Sequence, residues 1–253
     1  MRISTSAVLL ALASPLAAFC TAAQADTVFT DSSFNLSDYT QIGPYLDFGS
    51  PSTTGSMTAS QCTSCGNPGD ALQITSSVTT AAGFAGDMVL LNTGFTYDPQ
   101  TQGALGSISV STEKQVSSPN FGFTVTPSFW PVIEQDGILY AATIPGTPIA
   151  LPSPGASPWQ TLSASGLTAA DFTNIDLSTW TLSGTASPNF DGDPLTFGLA
   201  QLTEFSGASG SFISTYDNLS FDLTIPEPST AGLAVLGLAG LGAVRWSRRR
   251  MAI

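Results

Sequence analysis

Val132-Ile133-Glu134-Gln135-Asp136-Gly137-Ile138-Leu139-Tyr140 is the stretch of this 253-residue sequence with the clearest structural signal. Runs rich in apolar residues stand on both sides of Asp136-Gly137, a dipeptide that readily adopts the positive φ angles of a type I′ turn. The stretch therefore predicts a β-hairpin with a two-residue turn. Because such a turn joins antiparallel strands, the hairpin points to an antiparallel sheet.

Hydrophobic periodicity in the rest of the chain also favours strands. No window of a dozen residues between the two chain ends carries a convincing apolar stripe of helical period, whereas short alternating runs recur between Gly, Pro, Asn and Asp. In the last run, Leu219, Phe221, Leu223 and Ile225 alternate with polar residues, which predicts one buried and one wet face. The predicted strands are Ala71–Val78, Gly86–Leu91, Ala104–Thr112, Phe121–Thr126, Trp130–Gln135, Ile138–Ile144, Trp159–Ser165, Leu195–Phe205 and Tyr216–Ile225.

Three segments are predicted to be irregular. The segment Ile144–Trp159 contains five prolines, which cannot donate to a strand ladder, so it is predicted to be a surface loop. A second loop is predicted over Gly49–Asp70. Thr168 is a candidate N-cap with Asp171 three residues on, which predicts a single helical turn.

The N-terminus has the three parts of a secretory signal peptide. Arg2 supplies the positive start, Ala7–Ala13 the apolar centre and Ala23-Gln24-Ala25 a small-residue cleavage site. The sequence therefore predicts that residues 1–25 are removed on export. Asp26 is then the first residue of the mature protein.

The C-terminus consists of a Pro-Glu-Pro turn, an apolar run and a basic stop. Pro226 and Pro228 fix φ and lack a backbone N–H, so they hold the chain extended around Glu227. The 14 residues Ala231–Val244 are all Ala, Gly, Leu or Val. As a helix they would span roughly 21 Å, less than the roughly 30 Å of a bilayer core, which predicts a marginal transmembrane segment. The basic stop, expected on the cytoplasmic side, consists of Arg245, Arg248, Arg249 and Arg250.

These three parts, in this order and spacing, resemble the PEP-CTERM sorting signal of exported bacterial proteins. The resemblance covers residues 226–250 and implies an exosortase-type processing enzyme that recognises Pro226, Glu227 and Pro228. It implies anchoring in the inner membrane before processing, and then the cell surface or extracellular matrix. Association with exopolysaccharide and biofilm is a further implication.

Between the two ends, residues 26–225 carry 17 acidic residues and a single base, Lys114, a net charge of −16. A polyanion partner needs a basic patch, so this composition excludes nucleic acid. Two hundred residues suffice for one domain with a sizeable core. The predicted fold class is all-β, an antiparallel two-sheet sandwich. Its length and strand number resemble the jelly-roll sandwiches of concanavalin-like lectins and glucanases, but none of their site motifs matches.

Cys62 and Cys65 are the two cysteines that remain after export, and an oxidising exterior predicts a disulfide between them. The alternatives are a redox motif, which needs a helix N-terminus beside the thiol, and half of a zinc site, which needs further Cys or His ligands. The chain contains no histidine. That absence excludes Ser-His-Asp and Cys-His catalysis and histidine-ligated metals.

Carboxylates are the remaining candidates for acid–base chemistry. A glycosidase needs two of them across a cleft, and the candidates are Glu113, Glu134, Asp136 and Glu204. Nothing in the sequence selects a pair, and solvated carboxylates beside a turn are the ordinary finding. The sequence therefore favours a protein that is not an enzyme.

Two further patterns carry weaker signals. Asn189, Asp191 and Asp193 place oxygen atoms at alternate positions, as a calcium site would require, although an Asx turn between strands is the simpler interpretation. No other cofactor is predicted. A second pattern is formed by aromatic residues, which would either stack on sugar rings or belong to the core: Trp130, Trp159 and Trp180.

Three functions remain open at this point. The first is a structural or interaction protein of the cell envelope or extracellular matrix, which the sorting-signal resemblance implies. The second is a carbohydrate-binding module, with extracellular polysaccharide as its partner. The third is a carboxylate-dependent glycosidase. Two tryptophans converging on one concave face would favour the second, and two inward carboxylates would favour the third.

Overall fold

The computed structural model of the chain describes residues 26–48, 54–79, 84–118, 123–125, 127–151, 154–205 and 209–226. Residues Asp26–Thr224 form a single unit by their mutual contacts. The predicted signal peptide and, beyond Pro226, the predicted sorting signal lie outside the described residues. The division into three regions therefore stays a prediction.

Strands form most of the described chain, and helix is limited to three short turns. The strands are β1 (Thr27–Asp31), β2 (Tyr39–Phe48), β3 (Gly55–Gly66), β4 (Gly69–Val78), β5 (Phe84–Tyr97), β6 (Ser107–Ser118), β7 (Phe123–Val125), β8 (Ser128–Gln135), β9 (Ile138–Ala141), β10 (Ile144–Pro145), β11 (Ile149–Leu151), β12 (Gly155–Ala156), β13 (Gln160–Leu167), β14 (Thr173–Asp176), β15 (Thr181–Leu182), β16 (Leu195–Phe205) and β17 (Gly210–Thr224). The helical turns are α1 (Pro99–Gln102) and the 3₁₀ turns Leu36–Asp38 and Ala169–Asp171.

Two large antiparallel sheets are formed by these strands. Sheet A has seven strands in the order β12-β6-β17-β4-β3, with β1 beside β17 and β13 beside β6. Sheet B has eight strands in the order β15-β14-β9-β8-β16-β5-β2, with β10 beside β8. The short strands β7 and β11 pair separately. The all-β, jelly-roll-like sandwich predicted from the sequence is confirmed.

The hairpin predicted around Asp136-Gly137 is present as β8–β9. Gln135 pairs with Ile138, and the two turn residues have φ angles of 53° at Asp136 and 77° at Gly137. Positive φ at both positions is the signature of the type I′ turn. The local sequence alone therefore determined this element.

The core between the sheets follows from side-chain alternation along β16 and β17. Phe197 on β16 contacts Phe221 on β17, with ring centroids 5.3 Å apart, and Phe29 on β1 lies 5.9 Å from Phe197. Successive side chains of a strand point to opposite faces. Ala200 and Leu202 of β16 therefore lie on the face of sheet B that is turned away from sheet A.

One predicted loop is wrong. Gly49–Asp70 was expected to be irregular, but β3 occupies Gly55–Gly66 and β4 already begins at Gly69. The strand escaped the sequence analysis because it is the edge of sheet A and buries only Met57. Its other positions are mostly serine, threonine and glutamine, so the alternation of apolar and polar residues is missing.

Further strands were missed because they are short or interrupted. No strand was predicted for β1, β2, β14 or β15. Strand β2 contains Gly43-Pro44 and a register shift between Ile42 and Tyr45, which hides its pattern. The proline-rich segment Ile144–Trp159 is not wholly a loop, since it contributes the short strands β10, β11 and β12.

The predicted helical turn after Thr168 is confirmed as a 3₁₀ turn. The backbone N–H of Thr168 donates to the Asp171 carboxylate at 2.7 Å, and the Thr168 hydroxyl donates to the same oxygen at 2.9 Å. These two bonds lower the pKa of Asp171. In the described part of the chain, no helix has the length and apolarity needed to cross a membrane.

Candidate functional site

A row of four residues crosses the face of sheet B that points away from sheet A. Thr96 on β5 pairs with Thr196 on β16, and Thr196 pairs with Glu134 on β8. Glu134 in turn pairs with Leu139 on β9. Residues directly opposite each other in antiparallel strands project to the same face. Two hydroxyls, one carboxylate and one apolar side chain therefore stand side by side.

This row lies within an open groove of about 420 Å³. Leu91 and Leu139 are buried beneath the groove and Ile42 is partly buried, so its floor is apolar. The rest of the lining comes from polar side chains, from the β8–β9 turn and from the turn after β14. These residues are Thr40, Thr93, Thr96, Thr196, Glu134, Gly137 and Leu177. The volume falls within the roughly 300–1,000 Å³ that small-ligand sites occupy.

The face that carries the groove is concave. Tyr45 comes from β2 at one edge of sheet B, and Trp180 comes from the turn between β14 and β15 at the other edge. Their rings stack at 5.8 Å with an interplanar angle of 11°. The two edges therefore meet over this face, and the sheet must curl to bring them together.

An apolar cluster fills the floor under this contact. Trp180 is 8% exposed. The buried members of the cluster are Val89, Leu91, Val132, Leu139, Ala141, Ile175, Trp180 and Ala200. Trp130, Tyr45, Ile42, Leu182 and Leu202 pack against it. Sheet B is thus packed on both faces, and the groove is the part of its concave face that the cluster leaves open.

The three tryptophans do not come together as a sugar-stacking platform, the first of the two alternatives that the sequence left open. Trp130 and Trp180 belong to the same concave face, but Trp180 is buried and stacks on Tyr45. Trp159 precedes β13 of sheet A, so it belongs to a different part of the fold. The core interpretation therefore holds for Trp180. The Trp130 Nε1–H donates to the Ser128 hydroxyl at 3.0 Å.

Glu134 is the carboxylate that the structure places in the groove lining. One of its oxygens accepts a hydrogen bond from the backbone N–H of Gly137 at 2.6 Å, which fixes the side chain against the hairpin turn. Asp136 on that turn is fully exposed. The charge of Asp193 raises the pKa of Asp136, with smaller contributions from burial, from a hydrogen bond to Asp193 and from the charge of Glu134.

The other candidate carboxylates lie elsewhere. Glu113 on β6 of sheet A accepts hydrogen bonds from the side-chain amides of Asn218 at 3.1 Å and Asn67 at 3.3 Å. Glu204 belongs to the end of β16, and the structure does not describe its side chain. Asp136 stands at the hairpin tip beside Glu134 rather than across the groove. The described residues therefore do not present two carboxylates on opposite walls of this cleft.

The Asn189–Asp193 segment forms an Asx turn. The Asn189 side-chain oxygen accepts from Asp191 N–H at 3.1 Å, and the Gln135 amide donates to the backbone oxygens of Asn189 and Asp193 at 3.0 and 2.7 Å. Among the described residues, no group of three or more His, Cys, Asp or Glu side chains is placed to hold a metal ion. Calcium at this segment stays a prediction.

Lys114 lies between the two sheets and is 3% exposed. Its Nζ donates to Ser128 O and the Tyr216 hydroxyl at 2.8 Å each, and to Gln201 Oε1 at 3.2 Å. The Tyr216 hydroxyl also donates to Gln201 Oε1. Because β6 and β17 belong to sheet A and β8 and β16 to sheet B, this network joins the sheets. Burial lowers the pKa of Lys114 to about 7 and raises the pKa of Tyr216.

Cys62 and Cys65 form a disulfide, with their Cα atoms 5.7 Å apart. It lies at the end of β3, where the register with β4 shifts between Cys62 and Gly66. The turn that follows is held by Asp217, whose buried carboxylate accepts from the backbone N–H groups of Asn67 and Asn218. The bridge therefore shapes a loop rather than joining the two sheets.

The sequence pointed to residues on one side of the groove and not to those on the other. Glu134 and Gly137 were identified through the hairpin. Thr40, Ile42 and Thr196 carried no signal, because a threonine on an outward face looks like any solvated strand position. Thr40 and Ile42 lie on β2, for which no strand was predicted.

A PEP-CTERM protein-sorting motif matches residues 224–250. The match confirms the resemblance drawn from the tail and marks the chain as an exported protein with a C-terminal sorting signal of the kind that exosortases process. Of the matched residues the structure describes only those up to Pro226. The predicted roles stay predictions: recognition by a processing enzyme for Glu227 and Pro228, and a basic stop for Arg245 and Arg248–Arg250.

No curated protein matches the chain. Among solved structures, a family 11 carbohydrate-binding module from Clostridium thermocellum in complex with a β-1,3-1,4-mixed-linked tetrasaccharide is similar, with a TM-score of 0.39 and 13% identity. The match covers 79% of this chain and 97% of that one. A family 22 xylan-binding domain from Paenibacillus barcinonensis is also similar, with a TM-score of 0.33 and 12% identity over 81% of this chain and 99% of that one. Likeness at this level says nothing about what this chain binds.

Proposed function

We propose that this exported protein has an interaction role at the cell surface or in the extracellular matrix, and that it binds a polysaccharide chain in the groove of sheet B. The observation that carries the proposal is the row Thr96, Thr196, Glu134 and Leu139, which sets hydroxyls and a carboxylate beside an apolar floor on a concave face.

The chemistry of the lining suits a sugar. A pyranose ring presents hydroxyl groups around its edge and C–H groups on its faces. The hydroxyls of Thr40 and Thr196 can each donate one hydrogen bond and accept two, and Glu134 accepts from sugar hydroxyls. The Thr96 hydroxyl donates to Thr93 O at 3.3 Å and can accept from a sugar hydroxyl. Ile42, Leu91 and Leu139 line the groove and can contact the C–H groups of a sugar ring. Apolar lining with a few convergent polar groups is the usual composition of a ligand site.

Catalysis is supported less well than binding. A glycosidase needs an acid and a second carboxylate on opposite sides of the scissile bond. Glu134 stands in the groove with Asp136 on its own hairpin, and Glu113 lies on the other sheet. This placement favours retention of a glycan over its hydrolysis.

The test is retention of the mature domain on a panel of polysaccharides by affinity gel electrophoresis. Thr40→Val and Thr196→Val remove groove hydroxyls while keeping a β-branched side chain of the same size. Each lost hydrogen bond contributes about 0.5–1.5 kcal/mol, so the pair should weaken retention by roughly fivefold to a hundredfold. Thr75→Val on β4 makes the same change on sheet A and is the matched control.

Two results would contradict the proposal. One is a wild-type domain that no polysaccharide of the panel retards. The other is an equal loss of retention in Thr75→Val and in the groove variants, since binding would then not depend on this face.

A further inference from the structure

The accessible surface of the mature domain has no basic side chain. Residues 26–225 contain no arginine and no histidine, and their one lysine is Lys114. Against it stand 17 carboxylates.

The fold removes that one cation from the surface. Lys114 is buried, and its Nζ is fully engaged by Ser128, Gln201 and Tyr216 within the core. It lies on the inner face of β6, whereas the groove lies on the outer face of sheet B. No ammonium or guanidinium group is therefore available to a ligand in the groove.

A carboxylate, sulfate or phosphate on a sugar would be poorly accommodated there. Burying an anion at a protein surface requires a charged partner or several donors to replace its water. The groove instead offers threonine hydroxyls and the carboxylate of Glu134, with Asp136 and Asp193 at the adjoining turn. These carboxylates would repel an anionic group bound in the groove. At low salt the negative net charge of the whole domain adds a weaker, long-range repulsion.

We infer that the groove takes an uncharged polysaccharide and excludes chains that carry carboxylate, sulfate or phosphate groups. This inference rests on the proposed function and names the ligand class of the same site. Sugar hydroxyls can both donate to Glu134 and accept from the threonines, so an uncharged chain can supply hydrogen-bond partners to the polar side chains of the groove.

Matched pairs of polymers test the inference. The mature domain is run in affinity gels that contain cellulose, starch or dextran in a neutral soluble form (hydroxyethyl cellulose for the first), or the carboxymethyl form of the same backbone. We expect at least one neutral polymer to retard the protein. Its carboxymethyl partner should bind about tenfold or more weakly at low salt, and the difference should narrow as salt rises.

A local charge reversal provides a second readout. Thr96→Lys adds a cation to the groove, and Ser56→Lys adds the same charge on edge strand β3 of sheet A. The ratio of carboxymethyl to neutral binding should rise several-fold in Thr96→Lys and much less in Ser56→Lys. Equal changes in the two variants would mean that net charge alone sets the preference, and would overturn the assignment to the groove.

The binding results distinguish a wrong ligand class from an absence of polysaccharide binding. If a carboxymethyl polymer binds as well as its neutral partner, with or without added calcium, the exclusion of anions is wrong and polysaccharide binding stands. If neither member of any pair is retained, polysaccharide binding and the inference fall together.

Discussion

The rings of Tyr45 and Trp180 stack nearly parallel, with centroids 5.8 Å apart and an interplanar angle of 11°. The two residues come from opposite edges of the eight-stranded sheet. This contact closes the sheet over its own outer face. It accounts for the concavity of that face and for the position of the groove, whose lining includes Ile42 and Leu177, close in sequence to the two aromatic residues.

The aromatic contact should contribute measurably to stability. Trp180→Ala removes a nearly buried indole, and a loss of about 3–5 kcal/mol in the free energy of unfolding is expected. In a double-mutant cycle with Tyr45→Ala, the coupling should be about 0.5–1.5 kcal/mol, the usual range for an aromatic pair. Denaturant unfolding measures both values. Leu177→Ala, in the same turn and 44% exposed, should change stability by less than about 1 kcal/mol. Strictly additive effects of Trp180→Ala and Tyr45→Ala on the free energy of unfolding would show that the rings are not coupled.

Lys114 should make the stability of the domain depend on pH. Its folded pKa of about 7 lies below its ordinary value of 10.5, so between these two values the unfolded chain binds more protons than the folded one. The free energy of unfolding therefore rises with pH across that window, by at most about 5 kcal/mol in total. Below about pH 7 both states carry the charge and the full cost of burying it remains.

Lys114→Met keeps the length of the side chain and removes the charge, so the rise between about pH 7 and pH 9.5 should disappear. Urea unfolding at several pH values within this range measures how the free energy of unfolding changes with pH, and the wild-type domain is the reference. The slope with pH is the informative quantity, because the mutation also leaves Ser128 O without its lysine donor. An equal slope in both proteins would show that another group causes the dependence.

The disulfide should contribute modestly. Joining Cys62 to Cys65 closes a very small loop, and the chain-entropy relation gives about 2 kcal/mol for it. Cys62→Ser with Cys65→Ser should therefore lower the free energy of unfolding by about that amount while unfolding stays cooperative. Thiol titration of the exported wild-type protein should find neither cysteine free. Loss of the cooperative transition in the double variant would mean that the bridge holds more than its loop.

Asp217→Asn should destabilise the turn after the disulfide. The Asp217 carboxylate is 0% exposed and receives the N–H groups of Asn67 and Asn218. An amide has one accepting oxygen instead of two, so one of these two partly buried hydrogen bonds to a charged acceptor is lost, at a cost of about 1–3 kcal/mol. Asp222→Asn on the same strand is exposed and serves as the control. Equal stability of the two variants would argue against this role of Asp217.

Processing at both ends should be visible in one intact-mass measurement. Protein recovered from the native host is expected to begin at Asp26 and to lack Ala231–Ile253, which is the processing that we expect from the matched sorting motif. Glu227→Ala should increase the fraction that keeps the tail. Mature surface material that still contains Arg248–Arg250 would show that the segment is a permanent anchor.

Several properties were determined by the sequence alone, because they depend on residues close together in the chain. Asp136-Gly137 determined the hairpin, Thr168 and Asp171 determined the 3₁₀ turn, and the Pro-Glu-Pro tail determined the sorting signal. The class of fold followed from alternation, which is a local pattern as well. Strand β3 was missed for the same reason, since an edge strand that buries only Met57 has no such pattern.

Only the tertiary structure decided which residues stand together. Thr96, Thr196 and Glu134 are far apart in sequence and meet because β5, β16 and β8 are neighbours in sheet B. The burial of Lys114 likewise depends on the distance between two sheets, which no short stretch of sequence encodes. Strand order and sheet curvature arise from the packing of the whole domain, so the groove and the removal of the one lysine from the surface appear only once the chain is folded.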